Sequence, residues 1–108
     1  MAFLPCPHLG TAVELSVERE RHICDHHPDL LPDHRGRIIE TVGDPDQIRR
    51  STRTGNARLF SKWYADPRGG RYVVVVVVAD PGRETHPWII TAYMARKLKE
   101  GEIEWQRS

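Results

Sequence analysis

The chain has 108 residues, 16 Lys/Arg against 15 Asp/Glu, and a formal charge of +1 with histidine neutral. One domain is expected from that length, and the near-balance of charge argues against a polybasic nucleic-acid coat or membrane binder. At 39% apolar and 29% charged residues the composition is that of a globule rather than a disordered chain.

No apolar run approaches the roughly 18 residues of a membrane span, and the opening Met1-Ala2-Phe3-Leu4-Pro5 lacks the basic n-region and apolar core of a signal peptide. Cys6 and Cys24 are too few for a disulfide scaffold, so a reduced, cytoplasmic setting is expected.

Thr11–Leu15 alternates weakly and predicts a short strand. Ser16 is a good helix N-cap, with Glu18 in the first turn, and predicts a helix over Val17–His26. Pro28 disfavours helical geometry at His27 and ends it. Asp33 caps a second helix carrying Ile38, Ile39 and Val42, which stops at Gly43 and Pro45. From Asp46 the period changes. Gln47–Arg53 and Ala57–Ala65 predict strands joined by Thr54-Gly55-Asn56.

Pro67-Arg68-Gly69-Gly70 makes the next turn, and Tyr72 with Val73–Val78 predicts a central strand, because so long an apolar run buries both faces. After Asp80-Pro81-Gly82, Trp88–Met94 is the last strand and Ala95–Glu100 starts a closing helix. Helices followed by strands indicate an α+β domain, with one or two N-terminal helices packed on a four-stranded antiparallel sheet.

Charge is unevenly placed along this order. Residues 1–45 carry four Lys/Arg against eight Asp/Glu, and residues 46–108 carry twelve against seven. Between positions 49 and 71, Arg49, Arg50, Arg53, Arg58, Lys62, Arg68 and Arg71 face only Asp66. Such a polarised molecule has a half suited to phosphates, although edge strands carry the same residues against aggregation.

Three groups of residues carry candidate chemistry. His22, His26 and His27 cluster at the end of the first helix, and imidazole takes up and releases protons near neutrality. Capping is the plainer role for each. His22 and His26 also have helical zinc-ligand spacing, with Cys6, His8 and Cys24 as further ligands, but no metalloprotease Glu or CxxC knuckle accompanies them. No metal site is therefore expected.

The last strand places Ile89, Thr91 and Tyr93 on one face by its period of two, with Arg96 and Lys97 just beyond. That is a phosphate-facing group, or simply good strand propensity. Finally, Arg58, Phe60, Lys62 and Tyr64 alternate onto one face, interleaving cations with rings as single-stranded RNA recognition does. A plain amphipathic strand shows the same pattern.

The order ELS-x-ER-x-RHI-x-x-x-HP (14–28), IIETVGDPDQI (38–48), YVVVVVV (72–78) and WIITAYMARK (88–97) resembles phage-type nucleases of the barnase–EndoU–colicin–RelE-like (BECR) superfamily, over about residues 12–99. The resemblance implies a metal-independent endoribonuclease of prophage or toxin type. It would cleave RNA by 2′-hydroxyl attack to a 2′,3′-cyclic phosphate, without a cofactor. Its motif positions fall on His22, His27, Thr91 and Tyr93, and the charges of Lys62 and Arg96 join them on physical grounds. Arg49, Arg50, Arg53, Arg58, Phe60, Tyr64 and Lys97 are the expected RNA contacts. A toxin of this kind would have an antitoxin or immunity protein as partner. The alternatives are a non-catalytic RNA-binding or regulatory module of the same fold, and a small metal-binding interaction domain.

Overall fold

The computed structural model describes residues 1–52, 56–66, 69–79, 86–98 and 101–107. The first helix, α1 (Val17–His26), has the predicted bounds: the Ser16 side chain accepts from the Arg19 backbone N–H at 3.1 Å, and the chain leaves the helix at His27. The second, α2 (Arg35–Gly43), is capped by His34 rather than Asp33, with no side-chain cap bond.

Seven strands form one mixed sheet: β1 (Ala2–Cys6), β2 (Thr11–Leu15), β3 (Gln47–Arg50), β4 (Ala57–Tyr64), β5 (Arg71–Val78), β6 (Trp88–Ala95) and β7 (Glu102–Gln106), in the order β1-β2-β6-β5-β4-β3-β7. This overturns the four-stranded antiparallel sheet. The run β3 to β6 is an antiparallel meander, but β2 joins β6 in parallel through Glu14 and Trp88, and two further strands close the edges.

Both unforeseen strands lie at edges, where the period-two apolar signal is weakest. β1 contains Pro5, which an edge strand tolerates because its missing donor can face away from the ladder. β7 carries Glu102 and Glu104, charges that suit an exposed edge. The helices follow β2 and are not N-terminal. No closing helix forms over the described part of Ala95–Glu100: Ala95 ends β6 and Arg96–Leu98 bend away from it, while residues 99–100 lie outside the described set. Residues 54–55 and 67–68 of the turns predicted at 54–56 and 67–70, the whole turn at 80–82, and Arg53 lie outside it too.

Both helices pack on one face of the sheet. Beneath them Val73, Val75 and Val77 join Phe60, Ile48, Ile23, Ile38 and Val42 in the core. The valine strand is fourth of seven, and Val74 and Val78 are buried on its other face as well, as so apolar a run requires. On that second face Leu59, Ser61 and Val74 border a small cleft that Lys97 and Leu98, just after β6, also line. Among the described residues no helix is long and apolar enough to cross a membrane.

Candidate functional site

The histidine segment takes its geometry from the helix period. Ile23 is fully buried, and His27, four residues on, follows the same side of α1 toward β6. Its ring stands 6.0 Å from that of Tyr93, tilted by 41°. The two meet because β2 pairs with β6 only at Trp88, which leaves the later residues of β6 open to the end of α1. Arg19 helps dock the helix there, donating to the Ile90 carbonyl at 3.4 Å. That carbonyl belongs to a β-bulge, between the pairs Val76–Thr91 and Val77–Ile89. Nothing in the linear pattern marked Arg19.

His22 stacks on His26 with ring centroids 4.3 Å apart, the i, i+4 neighbours of one helix flank. A carbonyl can only accept, so Nδ1 of His26, 2.9 Å from the His22 oxygen, is the donor. Desolvation first, then the positive fields of His26, Arg19 and His27, hold the His22 pKa below 6.5 against the opposing pull of Asp25. Its imidazole is thereby biased toward the neutral, proton-accepting form.

The bulge also changes which β6 residues share a face. Ile89 is fully buried opposite Val77 on the core side with Ala92, so only Thr91 and Tyr93 share the opposite face. The Thr91 Oγ1 atom is buried and has no hydrogen-bond partner among the described residues. Tyr93, Lys97, Arg49 and Ser61 border a cleft of about 20 Å³ on that face, room for a water-sized group. Arg96 and Lys97 are exposed and have no hydrogen bond or ion pair among the described residues.

Lys62 is elsewhere. Its Nζ donates to the Asp44 carbonyl at 2.8 Å and to the Asp44 carboxylate at 3.2 Å, beyond the C-terminus of α2. In register Lys62 faces Val73 and then Met94, so two strand spacings, about 10 Å, separate it from β6. Hydrogen bonds from Arg107 and then Lys62 hold the Asp44 carboxyl below its usual range.

The remaining expected RNA contacts divide by face. Arg58, Phe60, Lys62 and Tyr64 do alternate onto one side of β4, but that side is the one beneath the helices. Phe60 is fully buried, so its ring cannot stack a base. Tyr64 donates to Glu40 at 2.6 Å and lies under the Arg37 guanidinium, 4.4 Å from its ring centroid. Burial and the Glu40 bond push the Tyr64 pKa well above the usual phenol value.

Glu104 on β7 takes Arg58 at 2.9 Å and Arg50 at 3.3 Å, with His8 at 3.0 Å. Burial opposes ionisation of this carboxyl, but the bonds from His8, Arg58 and Arg50 prevail and hold it below its usual range. Arg49 donates to the neutral Gln47 at 2.6 Å.

No protein-family model matches the chain, nor does any curated protein or solved structure. The zinc-type side chains lie apart: Cys6 is buried in β1, where desolvation raises its thiol pKa, and His8 is engaged with Glu104. Among the described residues no three His, Cys, Asp or Glu side chains gather as a ligand set.

Proposed function

We propose that this chain is an endoribonuclease of the BECR type, working without a metal ion and cutting RNA by attack of a 2′-hydroxyl on the adjacent phosphate. The observation that carries this reading is the approach of His27 to Tyr93, residues far apart in sequence that both belong to the nuclease-like motif. His22, biased toward its neutral form, takes the 2′-hydroxyl proton. His27, at the C-terminal end of α1 and beside Tyr93, returns a proton to the departing 5′-oxygen. One P–O bond forms, one breaks, and the products are a 2′,3′-cyclic phosphate and a 5′-hydroxyl. Arg96 and Lys97 supply charge for the phosphorane, and the Tyr93 hydroxyl orients the phosphate. Lys62 is held by Asp44, and Thr91 has a buried oxygen, so neither takes part.

Incubation with end-labelled RNA in EDTA tests this. Products ending in cyclic phosphate are expected from the native chain, and about 10²–10⁴-fold less from His27→Ala. An intact substrate with the native chain would sink the proposal. Retained RNA affinity in that case would favour the non-catalytic binding module.

A further inference from the structure

On the face of the sheet away from the helices, Trp63 and Tyr72 are register partners at one end of β4 and β5. Trp63 is 45% exposed, and its ring meets Tyr72 edge-on at a centroid distance of 5.0 Å. Gly70, with φ of 119°, passes so close that a Cβ there would lie 2.1 Å from Cζ2 of the indole. Backbone on one side and a second ring at the edge hold the indole in one orientation, with much of its surface in solvent. Tyr72 is in turn the register partner of Ala95, and the next two residues are Arg96 and Lys97.

These two cations differ from most others around the sheet. Arg37, Arg50, Arg58, Lys62 and Arg107 are each paired with a carboxylate. Arg96 and Lys97 have no such partner among the described residues. Held aromatic rings beside unneutralised charge match the two parts of a single-stranded nucleic acid: a base with a π-face and a phosphate.

We infer that Trp63, Tyr72, Arg96 and Lys97 form a base-stacking subsite for single-stranded RNA, next to the His27–Tyr93 edge. The inference rests on the ribonuclease reading in taking RNA as the ligand. Two residues along β6 and two strand spacings across place Trp63 about 12 Å from Tyr93, within reach of one strand entering both places. The rings accept any base, so the subsite adds affinity with little sequence preference.

The test uses a dye-labelled 2′-O-methyl oligoribonucleotide, which lacks the attacking hydroxyl and stays intact, with binding followed by fluorescence anisotropy. Trp63→Ala should weaken binding about tenfold, within the range for one lost stack, and Trp63→Phe should keep most of the affinity. Arg96→Ala and Lys97→Ala should each weaken it and lower the slope of log Kd against log salt by about 0.7. Trp105→Ala, which removes another half-exposed indole from β7, should change it less than about twofold. Equal effects of Trp63→Ala and Trp105→Ala, an unaltered Kd in Trp63→Phe together with Trp63→Ala, or no binding by the native chain would each overturn the subsite. Cleavage of unmodified RNA in EDTA separates the two proposals. A chain that binds through Trp63 without cutting loses the nuclease reading alone, and one that cuts with Trp63-independent binding loses the subsite alone.

Discussion

The two sides of β4 carry similar residues to opposite ends. Arg58, Phe60, Lys62 and Tyr64 look like a nucleic-acid strip, yet α2, β7 and the loop after α2 consume each of them: Glu104 takes the arginine, the core takes Phe60, Asp44 takes the lysine and Glu40 takes the phenol. Trp63, on the other side of the same strand, stays half-exposed beside Tyr72, with Arg96 and Lys97 nearby and lacking a carboxylate partner among the described residues. A cation counted in a sequence is a source of potential only if no carboxylate neutralises it in space. Among the described residues, the cations of β4 are therefore matched by carboxylates, whereas Arg96 and Lys97 after β6 are not.

The contrast can be broken at several points. His27→Ala should lower single-turnover RNA cleavage by about 10²–10⁴-fold, whereas Lys62→Met should leave it within about threefold. Comparable losses in the two variants would return Lys62 to the active site. Phe60→Ala should cost about 3–5 kcal/mol in urea unfolding, because a fully buried ring leaves a cavity, and Trp63→Ala clearly less. Similar costs would mean that both faces are core.

Glu104→Gln should cost about 1–3 kcal/mol by leaving Arg58 and Arg50 without a counter-charge. The sign with pH follows from the depressed pKa of the folded carboxyl. Its stabilisation is present above the unfolded value, about 4.3, and is lost as pH falls through the folded value. The native chain should thus lose stability on acidification more steeply than Glu104→Gln, in thermal unfolding followed across that range. The smallest effect is electrostatic: His26→Ala should raise the His22 titration midpoint toward 6.5, measured by NMR, since it removes a positive neighbour. An unchanged midpoint would mean that the stacked rings do not communicate.

Much of the interior was legible in the chain. Ser16 and Pro28 mark the ends of α1 because capping and proline geometry act over a few residues. The valine run declared a strand buried on both sides, and it lies mid-sheet. The i, i+4 spacing placed His22 and His26 on one flank of the helix, and there the structure stacks their rings. The bulge near Ile90 could not be read, since it shifts the period by one residue without a change of composition. Nor could β1 and β7, whose proline and glutamates look like tail and loop until they are paired at an edge.

By itself, then, the sequence determined the two helices, the central strand and the alternation of β4, all of which depend on neighbours within a turn or a pleat. Tertiary structure decided which side of β4 would be covered, which cations would be neutralised, and that His27 would come to rest against Tyr93. Those outcomes depend on partners far along the chain, Glu104 for Arg58 and the open edge of β6 for α1, and local propensity carries no information about such distant pairings.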